Sequence, residues 1–230
     1  MAGQAGDTMD VTQRAELREL LVHALPACRP ETIATLVDGA RLWAAKPDDR
    51  IYRQGEPVPL TLIVHGYGVA ERTTTDGLRL LSGVAPAGRL FGYSGIASSL
   101  SSIELIALTE CVVAQWPGPL IRALVVADSG LALAAIDSMA GSLHDTIERI
   151  EGFVHQNARR RVLRVLATYR ELFFGDPVVL SRAHLPGLVG TSREMTGRVL
   201  RQLERDGVVT REGRVGLRLL RPDRLDAGLG

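Results

Sequence analysis

Cysteine and long apolar runs are scarce in this chain. Its 230 residues include two cysteines, Cys28 and Cys111, whose spacing matches neither a metal-binding motif nor a disulfide framework. No stretch approaches the roughly 18 consecutive apolar residues that a membrane span requires, and the first residues lack the apolar core of an export signal. These absences argue against a secreted or membrane-bound protein and predict a globular, cytoplasmic one.

Lysine is absent from the last third of the chain, whereas arginine is abundant there. Residues 157–230 contain 15 arginines against 8 acidic residues, a net charge of +7, while residues 1–156 carry −6. A basic third joined to an acidic remainder is typical of a polyanion-binding module attached to one that does not bind polyanions. On charge alone, arginine-rich solvated helices from a high-GC coding background are the alternative.

The spacing of apolar residues changes along the first half of the chain. Residues 11–40 show helical spacing, interrupted by the two prolines of LPACRP. Residues 41–116 then alternate short apolar runs with turn sequences rich in glycine and proline; the runs are RLWAA, LTLIV, GVAER, LRLLSGV, SIELIAL and CVVAQW. Many short strands of this kind predict an antiparallel β-sandwich, barrel or roll.

An apolar stripe with alternating spacings of three and four predicts a long helix over residues 129–156. Its members are Leu133, Ile136, Ala140, Leu143, Ile147, Ile150 and Val154. An a/d pattern held for three heptads favours a parallel coiled coil of two copies, with every member after Leu133 in the dimer interface. The alternative is a helix packed lengthwise on the β domain. Gly141 and Gly152 each weaken the helix by about 1 kcal/mol relative to alanine.

The chain then returns to helix from 157 to Gly175-Asp176-Pro177, and residues 178–220 read as a winged helix-turn-helix. Gly190 can adopt the left-handed backbone of a sharp turn between two helices. Pro186 interrupts the first of these, so that a helix capped by Ser181 starts late or kinks.

The second helix is predicted to begin at about Ser192 through a capping box of Thr191 and Glu194. Its predicted buried face consists of Met195, Val199 and Leu203. A hairpin follows, with Glu212-Gly213 at its tip, and this hairpin reads as a wing.

The exposed face of the second helix has the chemistry that reads a DNA major groove. Arginine presents a donor fork to guanine, and glutamate accepts from cytosine, which suits Arg193, Glu194 and Arg198. Gly197, unusual inside a helix, would allow a surface to approach closely. The predicted contacts to phosphate oxygens are Thr191, Ser192, Arg201, Arg211 and Arg214. A merely solvated helix face is the alternative for each side chain taken alone.

At this point the sequence resembles the CRP/FNR family, which includes the cAMP receptor protein and the fumarate–nitrate reduction regulator. The resemblance rests on GTSREMTGRVLRQLERDGVV, and on IYRQGEPVPLTLIVHGYGV followed by PAGRLFG. In these β-roll segments the glycines and one acid stand at the expected turns: Gly55, Glu56, Gly66, Gly88 and Gly92.

The resemblance implies a fold and a function. The expected fold is α+β, with an N-terminal antiparallel β-roll that resembles cyclic-nucleotide-binding domains (1–128), a dimerisation helix (129–156) and a C-terminal winged helix-turn-helix (157–230). Arg193, Glu194 and Arg198 would then contact bases of a palindromic, TGTGA-like operator in double-stranded DNA. Arg161 matches the family's arginine after the dimer helix. The chain would be a regulator and not an enzyme, and RNA polymerase is a further expected partner.

Departures from the family pattern bear on the effector. Tyr93 stands where cyclic-nucleotide members have the glutamate that binds ribose, and no arginine or lysine occurs between Arg89 and Arg122 to hold a phosphate. Two cysteines cannot hold a four-cysteine iron–sulfur cluster. Neither cAMP nor a cluster is therefore expected. The candidate haem ligands are weak; they are His65, His144 and His155. Each of them is more readily interpreted as an ordinary histidine of a helix or core edge.

The predicted effector is instead a small hydrophobic or uncharged molecule, bound between residues 91–102 and the helix near 143–150. The predicted lining residues are Tyr93, Ser98, Ser99, Leu143, Thr146 and Ile147. One alternative is an effector-independent regulator, whose β-roll only shapes the dimer or contacts RNA polymerase. The other is a regulator with a degenerate cyclic-nucleotide response. A cupin-type metal enzyme would need clustered histidines, but His65 is the only histidine between 41 and 116.

Overall fold

The computed structural model describes residues 9–77, 79–97 and 99–227. They divide into two compact units. The first holds the described residues up to Arg72 together with Gly83–His144, and the second holds Thr73–Ser82 together with the described residues from Asp145 onward.

Two helices open the first unit. Helix α1 spans Val11–Ala24 and begins with a complete capping box, in which Asp10 and Gln13 each accept from the other's backbone N–H. Helix α2 spans Pro30–Gly39, with proline at its first position. The predicted break at LPACRP is therefore confirmed.

The strands that follow form two four-stranded sheets. Their bounds are β1 Arg41–Ala45, β2 Arg50–Tyr52, β3 Leu60–His65, β4 Tyr67–Thr73, β5 Arg79–Pro86, β6 Leu90–Phe91, β7 Glu104–Ala107 and β8 Cys111–Trp116. One sheet has the order β1-β8-β3-β6 and the other β2-β7-β4-β5. Every described register is antiparallel, as expected. A short 3₁₀ helix, Tyr93–Ala97, separates β6 from β7.

The core of this unit lies on both sides of strands β3 and β8. Leu62, Ala114 and Trp116 pack with apolar residues of α1 and α2, whereas Ile63 and Val113 pack with the second sheet. The alternation follows from the two-residue period of a strand. The indole N–H of Trp116 also donates to the carbonyl of Leu36 at 2.7 Å, which fastens α2 to the sheet.

Two helices close the unit and differ in how well the sequence indicated them. Helix α3, Gly118–Ala127, was not predicted as a separate element, while α4, Ser129–His155, matches the predicted long helix. The first turns of α4 are buried through Leu131 and Ala135. No single helix in the described ranges has the length and composition to cross a membrane; α3 and α4 pass that test only as a pair bent by 116°.

The rest of the second unit is helical, with one hairpin. Its elements are α5 Ala158–Thr168, α6 Arg170–Phe174, α7 Leu185–Val189, α8 Arg193–Arg205, β9 Val209–Glu212, β10 Gly216–Leu219 and α9 Pro222–Ala227. The prediction of one continuous helix from 157 to 175 was wrong, because the backbone turns out of helix at Tyr169 (φ −108°, ψ 33°) and restarts as α6.

Candidate nucleic-acid interface

Helices α5, α7 and α8 pack together around an apolar centre. The buried side chains of this centre are Val162, Leu163, Leu166, Leu185, Leu188, Val189, Val199, Leu200 and Leu203. Because each helix places only one face in this centre, the opposite face of α8 is left at the surface.

The turn between α7 and α8 requires glycine for two separate reasons. Gly190 lies in the left-handed region, at φ 66° and ψ 49°. In addition, a β-carbon at this position would lie 2.5 Å from Cε1 of Phe153. The predicted glycine turn is therefore confirmed, and it fixes the angle at which α8 leaves α7.

Helix α7 begins late, as Pro186 led us to expect. His184 is its N-cap and Pro186 occupies the second helical position, where a missing N–H leaves no bond unmade. Ser181 is therefore not the N-cap; its backbone N–H donates to Nδ1 of His184 at 2.9 Å.

The start of α8 corrects the predicted capping box. The N-cap is Ser192, whose Oγ accepts from the backbone N–H of Met195 at 3.1 Å. Thr191 is only partly buried, and the Glu194 side chain is 82% exposed. The prediction that Thr191 and Glu194 form the box was therefore wrong by one residue.

The buried face of α8 also differs in detail from the prediction. Val199 and Leu203 are buried as expected, but Met195 is only partly buried. Thr196 and Leu200 complete the buried face, and the hydroxyl of Thr196 donates to the carbonyl of Ser192 at 3.0 Å.

The exposed face of α8 brings the predicted base-reading residues together. Arg193, Glu194 and Arg198 all lie at the surface on the first two turns. Nη2 of Arg198 lies 3.2 Å from Oε1 of Glu194. Gly197 lies on the same side, and a β-carbon there would meet only Nη1 of Arg201, at 3.6 Å. The packing of the chain itself therefore gives no reason for a glycine at position 197.

Strands β9 and β10 form the predicted wing as an antiparallel pair. Glu212 is the last residue of β9 and pairs with Gly216, so the tip is Gly213–215 and not Glu212-Gly213 as predicted. Arg214 is exposed at this tip. Arg211 instead lies 3.0 Å from Glu204 of α8, measured from Nε to Oε1. The two wing arginines therefore differ in their surroundings.

Two residues that the sequence did not single out hold this surface in place. Arg182 donates from its backbone N–H to the carbonyl of Val215 at 3.0 Å, and from Nη2 to the carbonyl of Arg214, so it fastens the wing tip to the segment before α7. Asp206 accepts from Nη2 of Arg159 at 3.0 Å and from the Gln202 amide at 2.8 Å, and these bonds lower its pKa. No periodicity distinguishes either residue from its surface neighbours.

The predicted effector-pocket residues lie in different surroundings. Tyr93 is buried, and burial raises the pKa of its hydroxyl. It lines a cavity of about 430 Å³ in the first unit, beside Leu133 and Ser138 of α4. Leu143 does not line this cavity and is 62% exposed.

The remaining predicted members of that pocket are not brought together with Tyr93 in the first unit. Thr146 and Ile147 belong to the second unit. Ser99 is exposed, and Ser98 lies outside the described residues.

The side chains considered as cofactor ligands are dispersed. Nε2 of His65 lies 2.8 Å from Oε1 of Glu16, while His144 and His155 lie exposed on α4. Burial raises the pKa of the Cys28 thiol to about 11, with a further contribution from the Asp128 carboxylate. Within residues 9–77, 79–97 and 99–227, no three histidine, cysteine, aspartate or glutamate side chains cluster as metal ligands would.

Comparison with known proteins agrees with this geometry. Residues 160–227 match the model of the Crp-like helix-turn-helix domain. The cAMP-activated global transcriptional regulator Vfr of Pseudomonas aeruginosa is 28% identical over 153 residues, which are 60% of this chain and 70% of Vfr. The CRP-like protein Clp of Xanthomonas euvesicatoria is 28% identical over 178 residues, which are 71% of this chain and 77% of Clp.

Solved structures show the same fold. The c-di-GMP responsive global regulator CLP of Xanthomonas campestris superposes with a TM-score of 0.70 at 23% identity, covering 84% of this chain and 100% of that one. The helix-turn-helix match, the relatives and the shared fold agree with the exposed arginine face of α8: this chain is a DNA-binding transcription regulator that carries a Crp-like helix-turn-helix domain and is similar to members of the CRP/FNR family.

Proposed function

We propose that the chain acts as a homodimer on a palindromic operator with TGTGA-like half-sites, and that Arg193, Glu194 and Arg198 read its bases. One observation carries this proposal: the three side chains share the exposed face of α8, whose other face is buried against α5 and α7. Two guanidinium groups that flank a carboxylate suit guanine and cytosine edges in a major groove. The first turns of a recognition helix are the part that reaches those edges.

Contacts to the DNA backbone would surround this trio. The backbone amides at the start of α8 and the hydroxyls of Thr191 and Ser192 suit phosphate oxygens. Arg201 and Arg214 are exposed and bring positive charge. Arg211 would add a third charge if a phosphate replaced Glu204 as its partner. The net charge of +7 over residues 157–230 supports the same role.

Self-association would pair two α4 helices along the predicted stripe. In the single chain, Leu133, Ile136, Leu143, Ile147, Ile150 and Val154 are 48% to 69% exposed, and Ala140 is exposed as well. The alternative of a helix covered lengthwise by its own β domain does not explain this exposure. We therefore assign residues 1–128 to a sensor domain, 129–156 to the dimer helix and 157–230 to DNA binding.

Two candidates follow for the effector. A small uncharged molecule would suit the cavity beside Tyr93. The missing cyclic-nucleotide clamp favours the second candidate, a regulator that needs no effector, because Tyr93 stands in place of the ribose-binding glutamate and no arginine or lysine occurs between Arg89 and Arg122.

Fluorescence anisotropy on purified protein tests the DNA proposal. We expect tight binding to a duplex with two TGTGA half-sites and binding weaker by about 10³-fold or more to a scrambled duplex at physiological salt. Equal affinity for both duplexes would contradict sequence-specific reading. Ligand-free protein that binds fully would support the effector-independent candidate, whereas weak binding restored by a metabolite extract would support the first.

A further inference from the structure

A cavity of about 270 Å³ lies within the second unit, away from the DNA-reading face of α8. It is bounded by the C-terminal half of α4, by α5, by Tyr169 and by the end of α7. Phe153, Val165 and Leu188 supply its apolar surface. A space of this size suits a small metabolite and not a dinucleotide.

Pairing of α4 through its stripe would leave this cavity open. If Ile147 is position a of the heptad and Ile150 position d, then Glu148 and Arg149 occupy positions b and c. Gly152 and Asp145 both occupy position f, which faces away from the partner helix. A partner α4 packed on the stripe would therefore leave the cavity unfilled, although Phe153, at position g, would lie beside the seam.

Three arginines line the cavity, and among the described residues none lies within 4 Å of a carboxylate oxygen, although the Asp145 carboxylate attracts Arg149 electrostatically. Arg149 donates to the carbonyls of Leu81 and Ser82. Arg161 donates to the carbonyl of Gln156 at 2.7 Å, and its guanidinium lies 5.4 Å from the centre of the Phe153 ring. The guanidinium groups of Arg149 and Arg161 are therefore held by backbone carbonyls and form part of the cavity wall.

Arg164 differs from the other two arginines. It is an exposed residue, and within the described part of the chain its guanidinium makes no hydrogen bond or ion pair. Asp145 and Glu148 also line the cavity, so the five charged groups together leave a net charge of +1.

Gly152 opens a gap at the centre of this arrangement. A β-carbon there would lie 3.9 Å from Nη1 of Arg164 and 3.9 Å from Oε1 of Gln156. That oxygen is buried and has no hydrogen-bond partner among the described residues, a costly state for a buried acceptor. Glycine inside a long helix is less favourable than alanine, and packing does not demand it here.

We propose that this cavity is a second ligand site, which binds a small organic anion that carries one carboxylate or phosphate group and an N–H or O–H donor. The anionic group pairs with Arg164, and the donor satisfies Oε1 of Gln156 across the gap that Gly152 leaves. The bound molecule touches α4, α5 and α7 at once. Occupancy is therefore coupled to the placement of the helix-turn-helix on the dimer helix, a consequence that rests on the proposed function.

Calorimetric titration of the full chain tests the site without DNA, so its outcome is independent of the operator proposal. The probes are glycerol 3-phosphate, lactate and neutral glycerol. We expect saturable binding of at least one anionic probe and none of glycerol. Arg164→Gln removes a charged donor and weakens binding by about tenfold or more.

Two alanine variants of α4 separate the cavity from helix stability. Gly152→Ala places a methyl group in the gap and weakens binding, while Gly141→Ala, whose β-carbon meets nothing within 4 Å, leaves it unchanged. Both variants should melt at or above the wild-type temperature, since alanine is the better helix former. The proposal is overturned if neither anionic probe binds at millimolar concentration, or if Arg164→Gln and Gly152→Ala bind as the wild type does.

Discussion

Arg198 and Glu194 neutralise each other on the surface of the free chain. The pair spans 3.2 Å, and the two side chains are 64% and 82% exposed. An exposed pair of this kind contributes about 0–1 kcal/mol. Exchanging it for the proposed hydrogen bonds to base edges would therefore cost little, and the pairing keeps the two side chains next to each other on the exposed face of α8.

Replacing Arg198 tests its role in reading sequence. We expect Arg198→Ala to lose about 1–3 kcal/mol of discrimination between operator and scrambled duplex, because a bidentate contact to guanine disappears. Arg18→Ala on α1 removes the same charge from another exposed helix and is the matched control. Anisotropy titrations on both duplexes give the difference; equal losses on the two would remove the base-reading role.

Asp128 is a buried carboxylate that joins the start of α2 to the start of α4. It accepts from the Thr32 hydroxyl at 2.6 Å and from the backbone N–H groups of Arg29 and Gly130, both at 2.9 Å. These hydrogen bonds, that of Thr32 foremost, lower the pKa of Asp128 below its ordinary value of 3.8. They are made to the ionised form, which is therefore the form that the fold stabilises.

The depressed pKa of Asp128 sets a pH dependence of stability. A carboxyl whose folded pKa lies below its unfolded pKa contributes stability that is fully present above the unfolded value and is lost as pH falls through the folded one. We expect Asp128→Asn to lower the melting temperature at pH 7. The gap between wild type and variant should narrow below pH 3.8. A gap of constant size from pH 7 down to pH 3, measured by thermal unfolding, would contradict this.

The two ends of the helix turn show what the sequence could and could not predict at single residues. Gly190 was predictable because only glycine adopts its backbone conformation at no cost. The N-cap was not, because Thr191 and Ser192 are adjacent hydroxyl residues and either can cap a helix. The T-x-x-E pattern favoured Thr191, but the extended backbone before the helix falls at Ser192 (φ −68°, ψ 155°).

The wing carries two arginines that the structure separates by their surroundings. Arg214 lies exposed at the tip, whereas Arg211 is paired with Glu204. A phosphate that takes Arg211 must displace this carboxylate and leave it without its cation. The arginine at the tip exchanges only water for the phosphate.

The salt dependence of binding distinguishes the two wing arginines. We expect Arg214→Ala to reduce the slope of log K against log salt by about one phosphate contact, equally on specific and random DNA. Arg211→Ala should reduce it by less. A larger effect of Arg211→Ala in titrations at several salt concentrations would show that the paired conformation does not represent the DNA-bound wing.

Longer strands were easier to predict from the sequence than shorter ones. The six runs that gave β1, β3, β4, β5, β7 and β8 were long enough to show strand character, but β2 and β6 have only three and two residues and show no period. The break between α5 and α6 was missed because Tyr169 continues the apolar spacing of α5 while its backbone leaves the helix. Helix α3 was missed because it directly follows the proline-rich sequence WPGP, which we interpreted only as the end of the β region.

The stripe on α4 is an exposed apolar surface that the proposed dimer would cover. Its long apolar side chains are 48% to 69% exposed along a helix of 27 residues, about 40 Å in length. Contiguous apolar surface of this extent is rare on a monomer. The spacing of the apolar residues predicted the stripe. Its exposure could be seen only in the structure, because a helix that packs on its own domain shows similar periodicity.

A charge placed in the stripe tests self-association. We expect Ile147→Glu to shift the protein from dimer to monomer at micromolar concentration, because two carboxylates would be buried against each other. Ser142→Glu adds the same charge at the exposed heptad position c, away from the predicted seam, and should remain dimeric. Sedimentation velocity distinguishes the two; an unaffected Ile147→Glu dimer would exclude the stripe as the interface.

A spacing series of operators tests most directly the claim that two copies present one arginine–glutamate–arginine face each. Duplexes would carry two TGTGA half-sites whose centres lie one helical turn apart, about 34 Å, or half a turn further. We expect one dimer per duplex at the first spacing and a loss of most specific affinity at the second. Equal affinity at both spacings, or for a duplex with a single half-site, would contradict it.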